Sequence, residues 1–200
     1  ETSPVASFNP LHGEKKAGSV GLPIRGVAFQ IWNDVGEVLP TGEQGEICIK
    51  GHNIMIGYWN NPEATAAAIK GEWFLSGDIG YLDEDGYLYI TDRKKDMLLV
   101  NGINVYPREL EEVIYQFDGV KEAAVIGIND PRKGDLVVAC VAAIEGATIE
   151  DAALLAFLKD KLAAYKMPRR VIQLEALPRN ATGKILKTKL REIAAEKYAR

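Results

Sequence analysis

A chain of 200 residues, 47% hydrophobic and 26% charged with a formal charge of −4, is long enough to bury a core and to form one or two domains. The longest apolar run, Leu136 to Ile144, is of strand length and far short of the roughly 20 residues a membrane-spanning helix needs, so no such helix is expected. The small net charge hides an asymmetry, because residues 159–200 hold 12 of the 24 basic residues and only 4 of the 28 acidic ones, +8 against −12 for the rest.

From Ser19 to Ile90, short strand-like runs alternate with glycine turns: Val27 to Trp32, Glu46 to Lys50, and Gly86 to Ile90 after the turn Asp83-Glu84-Asp85. Asn61, Pro62 and Glu63 open a short alanine-rich helix, Glu63 to Ile69, which ends at Gly71. Ser76-Gly77-Asp78 reads as a turn between two strand-like segments, Trp73-Phe74-Leu75 and Ile79-Gly80-Tyr81. This half is mainly β. The run Arg93-Lys94-Lys95-Asp96 forms a charged break, and the boundary is placed after Asp92, giving domains 1–92 and 93–200. Pro107 then starts a helix with Leu110, Val113, Ile114 and Phe117 on one face, and Val120 to Ile128 and Leu136 to Ile144 read as strands. Thr148 and Asp151 resemble a capping box for a helix carrying Leu154, Leu155, Leu158 and Leu162. Val171 to Leu174 adds a strand and Thr188 to Tyr198 a last helix. The fold class is therefore mixed, a mainly β part followed by a small α+β domain able to fold alone.

Cys48 and Cys140 lie far apart in apolar runs with no CxxC or His/Cys cluster, which predicts core cysteines and argues against disulfide or zinc. His12 and His52 lack metal-spaced partners and read as surface or loop residues. Tyr58 and Trp59 are expected to pack in a core. The basic segment suits phosphates on nucleotides, nucleic acid or lipid, and equally a solvated helix face. A nucleic-acid or lipid-surface module is the alternative of a different class. No nucleic-acid motif and no interleaved aromatics support it.

Four segments occur in order: Glu1-Thr2-Ser3-Pro4; Gly45-Glu46-Ile47-Cys48-Ile49-Lys50-Gly51 with Gly57-Tyr58-Trp59 and Pro62-Glu63-Ala64-Thr65; Ser76-Gly77-Asp78 with Asp92-Arg93-Lys94-Lys95-Asp96; and Pro178-Arg179-Asn180-Ala181-Thr182-Gly183-Lys184. Through essentially its whole length the chain resembles adenylate-forming acyl-CoA synthetases, and the third and fourth segments look most like bacterial long-chain fatty-acid CoA ligases. Beginning at Glu1 without an initiator Met, it reads as a C-terminal fragment. It would comprise the β-rich end of a large domain that binds ATP and acid, then a mobile C-terminal domain. The phosphate loop such enzymes carry upstream is not in this sequence, so the isolated chain is expected to be inactive in adenylation.

The resemblance implies a fatty acid, ATP and CoA as substrates, Mg²⁺ as metal, and acyl-CoA, AMP and pyrophosphate as products. A medium-chain or aromatic acid, or transfer of the acyl-adenylate to a carrier protein, stays open. Lys184 would be the catalytic lysine, on a glycine turn from which its long stem can reach another domain. Asp78 would accept both ribose hydroxyls, and Arg93 would serve the ribose or phosphate side. Lys95 would be both a nucleotide contact and the hinge, Gly102 would line the CoA channel, and Glu1 would be a Mg²⁺ ligand. Ser76 stands where the family usually has Thr and keeps the hydroxyl. Leu99 stands where luciferase-like relatives have a second lysine, which argues against their second step. The Pro178–Lys184 context also resembles that in which a lysine acetyltransferase and deacetylase act on such enzymes, here on Lys184. A cytoplasmic place is implied, with weak peripheral contact to a membrane open and no nucleic-acid partner expected.

Overall fold

A computed structural model describes residues 1–130 and 134–198, which divide into two units, Glu1–Lys95 and Asp96–Arg200. In the first, β1 (Ser7–Phe8) and β2 (Leu22–Pro23) form a small antiparallel pair. The main sheet takes β3 (Val27–Trp32), β4 (Gly45–Gly51), α1 (Pro62–Ala68), β5 (Ile69–Lys70), β6 (Trp73–Leu82) and β7 (Leu88–Arg93) in chain order. All its pairings are antiparallel, in the order β3-β4-β6, with β5 and β7 both on β6. Alternate residues explain the burial: Val27 and Ile31 on β3 and Ile47 and Ile49 on β4 join Phe74 and Leu88 in one core. Helix α1 buries no residue and is held by its ends. Asn61 accepts the N–H of Ala64 at 3.0 Å, Pro62 opens the first turn, and Glu63 faces the positive end of the helix dipole.

Three expectations shift here. The strand expected over Gly86–Ile90 lies at Leu88–Arg93, because Asp83 Oδ1 accepts the N–H groups of both Asp85 and Tyr87 and extends the turn. Ser76-Gly77-Asp78 does not reverse the chain but lies inside the ten-residue strand β6. Tyr58 and Trp59 are not core residues, being 38% and 91% exposed. Their turn is fixed by polar bonds rather than apolar packing: Tyr58 N–H donates to Thr65 Oγ1, which donates to Asn61 O. His12 and His52 are exposed.

In the second unit a long hairpin, β10 (Val120–Asp130) with β11 (Gly134–Ala143), is preceded by β8 (Leu98–Val100), β9 (Ile103–Val105) and α2 (Pro107–Ile114). It is followed by α3 (Asp151–Lys159), β12 (Arg170–Gln173) and α4 (Lys187–Tyr198). The sheet order is β10-β11-β8-β9, with β12 parallel on β11. The hairpin is apolar in both registers, as the continuous run Leu136 to Ile144 anticipates. Ala123, Val125, Val137, Ala139 and Val141 face the core made with Leu110, Ile114, Leu154 and Leu158 of α2 and α3. Ala124, Ile126, Val138 and Cys140 face the core made with Leu190 and Ala194 of α4. The structure is thus mixed and strand-rich, with an α+β second unit.

Helix α3 begins without the capping box. Glu150 occupies the N-cap with no side-chain bond, and Asp151 instead accepts Gln173 Nε2 at 2.6 Å. Leu162 lies beyond the end of α3 and is still buried. Among the described residues no helix is long and apolar enough to cross a membrane.

Cys48 and Cys140 are free and fully buried, and burial pushes both thiols up to about 12. Since the thiolate is the nucleophile, neither should react with a disulfide reagent at neutral pH in the native chain, and two thiols should be released in denaturant. Titration of thiols with and without denaturant checks this.

Candidate active site

Strand β6 carries an irregularity that presents a carboxylate. Between the pairs Glu46↔Ile79 and Cys48↔Leu75, β4 contributes the single residue Ile47, whereas β6 contributes Ser76, Gly77 and Asp78. The surplus is accommodated as a bulge, and Gly77 supplies the positive φ of +73° that a side chain disfavours. Ser76 Oγ donates to Ile47 O at 2.7 Å and accepts the N–H of Asp78 at 3.1 Å, which closes the bulge on itself. Asp78 is opposite Arg93 in the β6–β7 register, with Arg93 Nε 3.7 Å from Asp78 Oδ1. Burial lifts the Asp78 carboxyl above its ordinary range, against the pull of Arg93 and Lys95. The structure therefore brings Asp78 and Arg93 together, and Lys95 is an exposed residue at the end of the same unit.

Beneath the bulge lies Glu46, 8% exposed. Its Oε1 accepts the N–H of Gly77 at 3.2 Å, and its Oε2 accepts Lys94 Nζ at 2.8 Å. Lys94 also reaches Asp34 at 3.3 Å, and the hydrogen bond to Glu46 raises its ammonium above the ordinary value. One buried carboxylate thus ties the Asp78 bulge to the segment after Arg93. Neither Glu46 nor Lys94 is singled out by sequence reasoning, although an acid inside the apolar strand Gly45–Gly51 is a usable signal.

Glu1 is exposed, and its carboxylate accepts the Tyr58 hydroxyl at 3.1 Å. The segment after it is anchored by the buried Asn53, whose Nδ2 donates to Thr2 O and Val5 O at 3.0 and 2.8 Å. Among the described residues no group of three or more His, Cys, Asp or Glu is placed to hold a metal ion. A lone carboxylate does not fit an all-protein cage, but it fits Mg²⁺, which is commonly held by one or two carboxylates together with substrate phosphates and water.

In the second unit Asn101 and Gly102 are the two-residue turn of the β8–β9 hairpin, with φ of +51° and +81°. Asn-Gly is the dipeptide that favours such turns, a signal that locates the hairpin. Open space surrounds the Gly102 Cα on the side a Cβ would occupy.

Lys184 closes a short loop. The N–H of Asn180 donates to Lys184 O at 2.9 Å, and Asn180 Oδ1 accepts the N–H groups of Thr182 and Lys184 at 3.1 and 2.9 Å. Outside the loop, Arg179 Nη1 donates to Gly183 O at 2.6 Å and Nη2 donates to Glu122 Oε1 at 2.6 Å. Glu122 Oε2 accepts the N–H of Leu177 at 2.8 Å. That backbone bond, together with Arg179, holds the Glu122 carboxyl below its ordinary range. Lys187, three residues beyond Lys184, pairs with Glu111 at 2.8 Å. The Lys184 side chain is exposed and makes no ion pair among the described residues.

Residues 109–184 match the family model of the AMP-binding enzyme C-terminal domain, and residues 1–59 match that of the AMP-binding enzyme. The chain is 41% identical over 199 residues to a long-chain-fatty-acid–CoA ligase of Bacillus subtilis, with 99% of the chain and 36% of the relative aligned. It is 44% identical over 191 residues to a 2-succinylbenzoate–CoA ligase of Geobacillus kaustophilus, with 96% of the chain and 39% of the relative aligned. The ATP-bound structure of MatB from Rhodopseudomonas palustris matches with a TM-score of 0.91 at 39% identity, covering 98% of this chain and 40% of that one. The chain thus spans little more than a third of the length of the curated relatives it matches.

Replacing Arg93 with Ala removes the larger of the two cationic influences on Asp78 and leaves burial opposed by Lys95. The Asp78 carboxyl should then titrate at higher pH than in the parent chain, and Lys95→Ala should move it less in the same direction. Carboxyl carbon shifts followed by NMR against pH check this, and unchanged midpoints would show that these charges do not act on Asp78.

Proposed function

The chain belongs to the AMP-binding, adenylate-forming enzymes, and we propose that the protein it forms part of is an ATP-dependent fatty acid–CoA ligase working through an acyl-adenylate. The observation that carries the reading is Lys184, an exposed ammonium presented on a loop with a heavily bonded backbone.

In the first half-reaction a carboxylate oxygen of the acid attacks the α-phosphorus of ATP, and the bond from that phosphorus to the pyrophosphate oxygen breaks. Two anions must meet, so a cation that bridges the carboxylate and α-phosphate oxygens favours the transition state over the separated reactants. Lys184 takes that role. Asp78, carried on its bulge, accepts the ribose hydroxyls, and Arg93 beside it faces the ribose or phosphate. Magnesium, when bound, neutralises charge on the phosphate oxygens, and Glu1 is the residue of this chain that would hold it.

In the second half-reaction the thiol sulfur of CoA attacks the acyl carbonyl, the acyl–phosphate bond breaks, AMP leaves and the thiol proton passes to solvent. The open surroundings of Gly102 let a pantetheine arm run close to the backbone. Lys95, the last residue of the first unit, is the proposed hinge about which Lys184 is withdrawn. Acetylation of Lys184, reversed by a deacetylase, would remove the charge that the first step needs. The fatty acid is read from the long-chain ligases among the relatives. The 2-succinylbenzoate ligase is as similar, so pyrophosphate release across fatty and aromatic acids decides the acid.

In the full-length protein Lys184→Ala should slow acyl-adenylate formation by about 10²- to 10³-fold while supplied acyl-adenylate and CoA still give thioester at the parent rate. The two half-reactions are measured separately, by pyrophosphate exchange and by thioester formation. Undiminished pyrophosphate exchange would overturn the assignment.

A further inference from the structure

Two glutamates on different elements hold the two ends of the segment that carries Lys184. Glu122, on β10, binds the segment before it through Leu177 N–H and Arg179, and Glu111, on α2, binds Lys187 after it. Glu111 is itself fixed, because its Oε1 also accepts the N–H of Val125 at 2.8 Å. The bonds of Asn180 define the shape of the loop but move with it. Leu177 and Ile185 pack the two stems of the loop on the core with Leu190, and the guanidinium of Arg179 adds a polar tie to the loop itself, spanning from the β10 carboxylate to the carbonyl of Gly183, the residue before Lys184.

We infer that Arg179 and Glu122 are positioning residues for the first half-reaction: the Glu122–Arg179–Gly183 chain of hydrogen bonds aims the Lys184 ammonium. The inference rests on the reading of Lys184 given above. Its chemistry needs arginine, since a planar fork can bond a carboxylate with two nitrogens and a carbonyl with the third, and a lysine has no such fixed geometry. Arg179 Nε and Nη2 both face Glu122 Oε1, at 3.2 and 2.6 Å, leaving Nη1 for Gly183. With Arg179 43% and Glu122 14% exposed, the pair is partly screened by solvent and its contribution to stability is modest, while its bonds are directional. Placement is a different matter, since displacing a catalytic group by about 1 Å can cost about 10²-fold in rate.

The test uses the full-length enzyme with Arg179→Ala, Arg179→Lys and Glu122→Gln, each alone and Arg179→Ala also combined with Lys184→Ala. Both half-reactions and thermal unfolding are measured. Arg179→Ala should lower pyrophosphate exchange about 10- to 100-fold and leave conversion of supplied acyl-adenylate unchanged. Arg179→Lys should recover part of the loss, and Glu122→Gln, which is isosteric and serves where Arg179→Ala does not fold, should fall in the same direction by less. The double variant should be no slower than Lys184→Ala alone, because a group that acts only by aiming Lys184 has nothing left to aim. Equal loss in both half-reactions, or an unchanged first one, would overturn the inference. If Lys184→Ala keeps the first half-reaction, the reading of Lys184 falls and the inference with it. If Lys184→Ala loses it while Arg179→Ala runs at the parent rate, the inference alone falls.

Discussion

The second unit is organised by the burial of one hairpin on both of its faces. Because β10 and β11 carry apolar side chains in both registers, α2 and α3 must cover one side and α4 the other. That requirement brings the start of α4, and with it the loop ending at Lys184, back to the sheet. It also leaves few places for charge. Glu122 on β10 and Glu111 on α2 both meet the returning segment.

The same local device recurs three times. Glu46, Glu111 and Glu122 are each largely buried, and each accepts one backbone N–H and one cationic side chain: Gly77 and Lys94, Val125 and Lys187, Leu177 and Arg179. A desolvated carboxylate is tolerable when its lone pairs are filled in this way, and charge-assisted bonds of this kind are strong and directional. For Glu46 and Glu122 a bonded group lies close to a proposed site residue, and Lys187, bonded to Glu111, is three residues from Lys184. Gly77 precedes Asp78, Lys94 follows Arg93, and Leu177 and Arg179 lead into the Lys184 loop. The buried acids set the local geometry on which the proposed site residues are carried.

The legible parts of this sequence are those that depend on near neighbours. The apolar run Leu136–Ile144 identifies a strand, and Asn61-Pro62-Glu63 identifies the start of α1 because cap and first turn are local. Asp78 and Lys184 are proposed site residues because they sit in contiguous motifs. The β6 bulge is not legible, because Ser-Gly-Asp has the composition of a reversing turn and only pairing with β4 and β7 keeps the strand going. Thr148 and Asp151 have the spacing of a capping box, but Gln173 on a neighbouring strand takes the carboxylate. The anchoring glutamates are hidden for the same reason. Glu46 and Glu122 find their cations 48 and 57 residues away, and an acid in a sequence carries no mark of a partner at that distance.

The distribution of ion pairs along the last segment separates Lys184 from its neighbours more sharply than the motif does. Five cations lie between residues 179 and 191. Arg179 pairs with Glu122, Lys187 with Glu111, Lys189 with Glu192 and Arg191 with Asp96, whereas Lys184 pairs with none of the described residues. A charge already engaged with a carboxylate must give up that partner before it can serve a phosphate, so its binding to substrate is reduced by the cost of the exchange. An ammonium without a partner gives up only water. The segment therefore spends four of its cations on ion pairs and keeps one whose full charge is available, on a loop whose backbone is well bonded. A freely solvated head on a constrained base is the combination that a transiently needed cation requires, because the base limits the entropy lost in reaching the transition state and the head loses no protein partner on the way.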